Sequence, residues 1–170
     1  WSPDGGNPPE HLTIVPFTRM LSGPIDYTPG IFDIKFDKYK KENQVNTTLA
    51  HQLAVYVVIY SPLQMAADLP ENYKGHPAFQ FIRDVGVDWD TSIVLHGEIG
   101  DFITIARKER NSDNWFLGSI TDENERTIEI HLSFLDELLE EEVAAKEHRR
   151  IETALKISGL PFIKSIDEFD

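Results

Sequence analysis

Apolar and polar residues change rhythm several times along this chain, and each change predicts a different kind of element. Trp1 to Pro9 is rich in Gly, Asn and Pro and reads as an extended loop before a helix-like stretch from Glu10 to Leu21. Gly23-Pro24 and Pro29-Gly30 then bracket Ile25 to Thr28, a pattern that suits a brief buried strand with its end exposed. Lys38 to Asn46 is polar and reads as loop. Leu49, Ala50, Leu53, Ala54, Val57 and Val58 recur at helical spacing, with Asn46 or Thr47 as the cap and Pro62 as the stop. Tyr56, Ile59 and Tyr60 lie on the other face, so this helix should pack on more than one side. A helical turn is expected over Leu63 to Asp68. Leu69 to Tyr73 breaks it, and Pro77 opens a last short helix ending near Gly86.

From Thr91 the period changes to two. Ile93 to His96, Asp101 to Arg107, Trp115 to Ile120 and Thr127 to Leu132 alternate between turn-forming clusters, which predicts an antiparallel meander. Ile128-Glu129-Ile130-His131-Leu132 shows the alternation most plainly, one face inward and the other toward water. After Ser133 a helical period returns on Leu135, Leu138, Leu139 and Val143. Acidic residues fill the first half of that helix and basic ones the second, which complements the helix dipole. Gly159-Leu160-Pro161 ends it. No internal repeat is visible.

Composition narrows the function classes. With 41% apolar and 26% charged residues in 170, this is the make-up of a soluble globular protein that buries roughly 70% of its surface. Leu53 to Tyr60, the longest apolar run, falls far short of the ~20 residues of a membrane span. Trp1 reads as a cut end, and its neighbours lack the pattern of a signal peptide. The absence of cysteine excludes disulfides and thiolate metal sites but leaves the compartment open. A net charge of -13 disfavours nonspecific nucleic-acid binding and suits a neutral partner such as sugar.

Several blocks carry a resemblance. Trp1-Ser2-Pro3-Asp4-Gly5-Gly6-Asn7-Pro8-Pro9-Glu10-His11, then the run from Pro16 to Gly30 containing Ile25-Asp26-Tyr27-Thr28-Pro29-Gly30, resemble glycoside hydrolase family 97. Asn46 to Ala54, Tyr60 to Asp68 and Leu69 to Tyr73 continue it in order. Val87-Asp88-Trp89-Asp90, Gly97 to Asp101 and Ile103 to Arg107 resemble the start of that family's C-terminal β-domain.

The resemblance implies an α/β plus β fold: the C-terminal fragment of a (β/α)8 barrel at residues 1–86, with its last strand near Ile25 to Thr28, a partial antiparallel β-domain at 87–133, and a C-terminal helix. Barrel sites lie at the C-terminal ends of strands. The family hydrolyses α-glucosides or α-galactosides with paired carboxylates and calcium, an ion that favours oxygen ligands, and is periplasmic or secreted. Its catalytic and calcium carboxylates lie upstream of the Trp-Ser motif. This chain alone is therefore expected to be inactive and to need no calcium, with Asp4, Glu10, His11 and Asp26 as candidates for lining the substrate pocket. An α-linked oligosaccharide is the partner implied for the parent enzyme, with no nucleic acid and no membrane. Self-association is expected through exposed strand edges and helix faces such as Val57 and Val58. A noncatalytic carbohydrate-binding or interaction module is the alternative, with Trp89, Trp115 and Phe116 as sugar-stacking aromatics, although aromatics in a small sheet more often belong to its core.

The tail at 134–170 departs from the family's pattern. Leu135 to Glu142, Glu147 to Ile151 and Ser158 to Asp170 resemble the N-terminal segment of the ATP-binding helper proteins of insertion-sequence transposases, without their phosphate loop. A change of origin is expected near Ser133.

Overall fold

The computed structural model describes residues 8–35 and 44–131. Contacts divide the chain into one unit at Trp1–Ile128 and another at Glu129–Asp170. Of the second, only residues 129–131 are described, and they form neither helix nor strand. Asp4 and the tail at 134–170 lie outside the described residues. The expected boundary between residues 86 and 87 falls inside the first unit.

Helix α1 (Pro9–Ile14) begins on a proline at its first positions, where a missing N–H costs nothing, and carries Glu10 in its first turn. It gives way to two 3-10 turns, Val15–Phe17 and Arg19–Ser22, because Pro16 cannot extend an α-helical ladder. The predicted strand from Ile25 to Thr28 is extended but pairs with no strand among the described residues. Its anchor is a hydrogen bond of 3.0 Å from the Ile25 N–H to the Tyr60 carbonyl.

Helix α2 (Leu49–Val58) is capped by Thr48, whose hydroxyl accepts from the His51 N–H at 3.1 Å. The expected caps, Asn46 and Thr47, lie upstream of it. Thr47 is unavailable because its hydroxyl meets the His51 ring and the Gln52 amide instead. Burial along the helix is uneven: Gln52 and Val55 to Val58 are buried while Ala50 in its first turn is exposed, and Val57 and Val58 have no exposed surface. These two valines are therefore not an exposed apolar face, contrary to expectation: the sheet covers them.

Residues 63–68 form no helical turn, with bends only at Leu63 and Asp68. The expected break at Leu69 to Tyr73 is instead a one-turn helix, α3 (Pro70–Tyr73), again opened by proline. A short helix α4 (Phe79–Asp84) follows where Pro77 placed it.

Strands β1 (Trp89–Glu98), β2 (Phe102–Glu109) and β3 (Trp115–Thr121) form an antiparallel sheet in that order. Register shifts interrupt β1 between Trp89 and Thr91 and between Val94 and His96. The fourth expected strand is not formed over residues 127–131. Ile103, Ile105 and Ile120 face α2 and close a core with Val55, Tyr56, Val57, Val58 and Ile59. Gly118 lets the helix sit close, since a Cβ there would lie 2.7 Å from the Val57 Cβ and 3.0 Å from the Ala54 carbonyl. Trp89 is buried in this core with Phe116 edge-on at 5.7 Å, so these two aromatics pack inward rather than offering a stacking platform.

Arg107 locks sheet to helix. It is 5% exposed, and its guanidinium donates to the carbonyls of Val57 (2.6 Å) and Val58 (3.2 Å) and to the Ser92 hydroxyl (2.6 Å). A helix leaves its last carbonyls without intrahelical donors, and Arg107 serves two of them from the neighbouring strand. Burial pulls its pKa down to about 10, with Tyr60 acting in the opposite sense.

Candidate functional site: a clamped glycine turn

Polar bonding inside the first unit concentrates on residues 29–33, the turn that leaves the extended segment. Gln52 and Tyr56 stand four apart on α2 and so share a face. Gln52 is 3% exposed in a helix whose only other polar side chains are His51 and the Tyr56 hydroxyl, and its side-chain oxygen accepts from the N–H groups of Gly30 (2.8 Å) and Ile31 (3.1 Å). Its amide nitrogen donates to Thr47 Oγ1 at 3.1 Å, which fixes the orientation of the group. The Tyr56 hydroxyl lies 2.8 Å from the Met65 carbonyl and 3.2 Å from that of Pro29. Burial pushes the Tyr56 phenol well above its ordinary value, and the neighbouring Tyr73 adds to the effect, so the phenol stays a donor.

The other side of the turn is held from α3. Tyr73 donates to the Gly30 carbonyl at 2.7 Å while accepting from the Asp68 N–H at 2.7 Å. One Asp68 carboxylate oxygen accepts from Phe32 and Asp33 N–H groups, both at 2.7 Å. The other accepts from the Leu69 N–H at 2.7 Å and the Asn72 amide at 2.6 Å. Burial alone would raise the Asp68 pKa, but hydrogen bonds from Asp33, Asn72, Leu69 and Phe32 outweigh it and hold the carboxyl below its usual range. Phe32 packs edge-on to Tyr73 at 4.9 Å and to His76 at 4.7 Å.

Gly30 is the residue this arrangement cannot replace. Its φ of +96° is disfavoured for other residues, and a Cβ would stand 2.5 Å from the Tyr56 hydroxyl oxygen. The turn is thus fixed from two directions before any ligand arrives. Asp68, with its oxygens occupied by donors, is an ionised acceptor and is not available as a general acid.

The residues expected to line a pocket are dispersed. Asp26 is exposed and borders a depression of about 350 Å³ with Pro24, Ile25, Ser61, Pro62 and Leu63. Glu10 lies in the first turn of α1, where its carbonyl accepts from the Thr13 hydroxyl at 2.7 Å, and His11 is exposed one residue on. Neither borders that depression nor a larger cavity of about 600 Å³ elsewhere in the unit. Among the described residues no group of three His, Asp or Glu converges to hold a metal ion. The reading from sequence missed Gln52, Asp68, Tyr73 and Arg107. Two signals were present: a glutamine inside a mostly apolar helix, and an arginine continuing the face of Ile103 and Ile105 along the strand.

Residues 88–157 match the family model described as glycosyl-hydrolase 97 C-terminal, oligomerisation. The match runs past Ser133, where a change of origin was expected. The chain is 40% identical over 140 residues to a retaining alpha-galactosidase of Bacteroides thetaiotaomicron, covering 79% of this chain and 21% of that protein. It is 32% identical over 113 residues to a probable retaining alpha-galactosidase of Streptomyces bingchenggensis, covering 66% of this chain and 16% of that one. Among solved structures it is similar to a glycoside hydrolase family 97 enzyme from Pseudoalteromonas sp. strain K8 in complex with acarbose. The identity there is 59% and the TM-score 0.68, over 75% of this chain and 20% of that one. The chain spans about a fifth or less of the length of these relatives.

Proposed function

We propose that this chain is part of a glycoside hydrolase 97 enzyme acting on α-glucosides or α-galactosides, the part in which the end of the (β/α)8 barrel is bolted to the oligomerisation domain. The observation that carries the reading is the 59% identity to a solved family 97 enzyme over 75% of this chain. On this reading the extended segment from Ile25 to Thr28 is the last barrel strand, α2 is the helix that closes the barrel, and residues 29–33 form the loop at the open end. The clamp around Gly30 then fixes a loop on the side where barrel enzymes bind substrate. Of the residues expected to line the substrate pocket, Asp26 borders a depression and its placement supports that role, while Asp4, Glu10 and His11 are assigned to a pocket that the rest of the enzyme would complete.

The catalytic carboxylates and any calcium ligands belong, on this reading, to the rest of the enzyme. Hydrolysis with retention needs one carboxylate to attack the sugar and another to protonate the leaving oxygen. The family match to an oligomerisation domain supports self-association, and exposed Val94, Ile99 and Leu117 within it provide apolar surface. Residues 134–157 fall inside that match, which favours assigning them to the domain rather than to a transposase helper protein.

Two measurements on the purified chain test this reading. Sedimentation equilibrium should give a dimer or larger species, and p-nitrophenyl α-galactoside and α-glucoside with calcium should not be turned over. A monomer at up to about 100 μM would remove the assembly role. Calcium-dependent hydrolysis by the chain alone would overturn the assignment of catalysis elsewhere.

A further inference from the structure

Strands β2 and β3 are joined by the loop from Arg110 to Asn114, closed by a hydrogen bond of 3.0 Å from the Glu109 N–H to the Asn114 carbonyl. Arg110 ties one end of the loop to the start of β1, donating to the Asp88 carboxylate at 3.0 Å, to that of Asp90 at 3.3 Å and to the Trp89 carbonyl at 2.9 Å. At the other end the Asn114 side-chain amide donates to Glu109 at 3.2 Å, and the Asn114 N–H donates to the Ser112 hydroxyl at 2.9 Å. Asn111 stands between these anchors and is exposed. Among the described residues, neither its side-chain amide nor the Ser112 N–H has a hydrogen-bond partner. Its φ of +62° is the one positive value outside glycine among the described residues, a conformation that asparagine tolerates better than most side chains.

We propose that Asn111 is a site of spontaneous deamidation in the folded protein, with the backbone nitrogen of Ser112 as the nucleophile and water as the co-reactant. Hydroxide removes the Ser112 N–H proton, the nitrogen attacks the Asn111 side-chain carbonyl carbon Cγ, and the Cγ–Nδ2 bond breaks as ammonia leaves. Water then opens the five-membered succinimide at either carbonyl, leaving an aspartyl or an isoaspartyl residue at position 111. Nothing is oxidised or reduced. The reacting atoms belong to adjacent residues, so ring closure is intramolecular, and no bond in the loop has to break before it. Every other asparagine in the chain is followed by proline, which has no N–H to attack with, or by a side chain larger than serine that crowds the approach. Three of them are also tethered: the amides of Asn72, Asn114 and Asn124 donate to Asp68 (2.6 Å), Glu109 (3.2 Å) and Asp122 (2.8 Å). The product places a new carboxylate beside Arg110, which already holds Asp88 and Asp90, so the loop gains negative charge irreversibly. Nothing in this chemistry depends on a glycosidase role.

The test holds the 170-residue chain in mildly alkaline buffer at physiological temperature, folded and in parallel unfolded in urea, and locates the products by peptide mass mapping with electron-transfer fragmentation. In the folded chain Asn111 should convert at least about tenfold faster than Asn72, Asn114 or Asn124, and at no less than about a third of its own rate in urea. Both aspartyl and isoaspartyl products are expected. Ser112→Gly should raise the folded-state rate about fivefold, because it clears the approach, and Ser112→Val should lower it about tenfold, because a β-branched side chain crowds it. Both variants remove the hydroxyl that holds the Asn114 N–H, so the difference between them reports the crowding alone. Asn111 that stays intact in the folded chain while the urea sample converts would mean that the loop protects it, and overturns the proposal. So does folded-state conversion of Asn72, Asn114 or Asn124 at the rate of Asn111. Equal rates in the two Ser112 variants, or an aspartyl product with no isoaspartyl form, would show direct hydrolysis without the Ser112 nitrogen and overturn it as well.

Discussion

Replacing Gly30 by alanine tests the clamp at its tightest point. The new methyl group faces two separate penalties. A backbone φ of +96° is strained for any residue with a Cβ, at about 1–3 kcal/mol. The methyl would also stand 2.5 Å from the Tyr56 hydroxyl oxygen, an overlap that forces the ring or the turn to move and adds about 1–3 kcal/mol. Together Gly30→Ala should destabilise the chain by about 2–6 kcal/mol. Tyr56→Phe alone, by removing the donor to the Met65 and Pro29 carbonyls, should cost about 1–2 kcal/mol.

The double variant separates the two penalties. Without the hydroxyl the nearest ring atoms lie 3.4 Å from the methyl, an ordinary contact, so the overlap disappears while the backbone strain remains. Gly30→Ala with Tyr56→Phe should then be about 1–3 kcal/mol more stable than the sum of the single changes. Urea unfolding at about 25 °C, followed by circular dichroism with equal m-values across the four proteins, measures this coupling. Additivity within about 0.5 kcal/mol would show that the methyl never meets Tyr56 and would refute the clamp geometry.

Three further outcomes follow from the same structure. Gln52→Leu keeps the volume but strands the Gly30 and Ile31 N–H groups, and urea midpoints should report a loss of about 2–4 kcal/mol. Gly118→Val drives a side chain into Val57 and the Ala54 carbonyl, so thermal unfolding should record a loss of about 1–3 kcal/mol as α2 is pushed from the sheet. Because the folded-state pKa of Asp68 is depressed, its contribution is full above the unfolded carboxyl value near about 3.9 and is lost as pH falls through the folded value. The wild-type urea midpoint should therefore drop more steeply between about pH 4 and pH 2 than that of Asp68→Asn; parallel curves would remove Asp68 as the source.

Hydrophobic period made α2 and the three strands readable, because those elements bury apolar residues at regular spacing and little else determines them. Sheet burial of Val57 and Val58 was not readable, since periodicity says that a face is buried without saying by what. The turn at residues 29–33 was marked by Pro29-Gly30, yet the side chains that bond it lie 21 to 43 residues further on, at Gln52, Asp68 and Tyr73. Such bonds leave no periodic trace. What they do leave is a polar residue where the pattern demands an apolar one, as with Gln52 within α2 and Arg107 in the buried middle strand. Both exceptions satisfy backbone groups that no regular element serves: the N–H groups of a glycine turn in one case, the last carbonyls of a helix in the other. They also stand at opposite ends of α2, so this helix physically links the sheet to the turn. Loss of the Arg107 bonds should therefore loosen α2 at its C-terminal end first. Hydrogen exchange in Arg107→Met should accelerate at Val57 and Val58 before it reaches Gln52. Uniform acceleration along the helix would mean that Arg107 contributes to overall stability without anchoring that end.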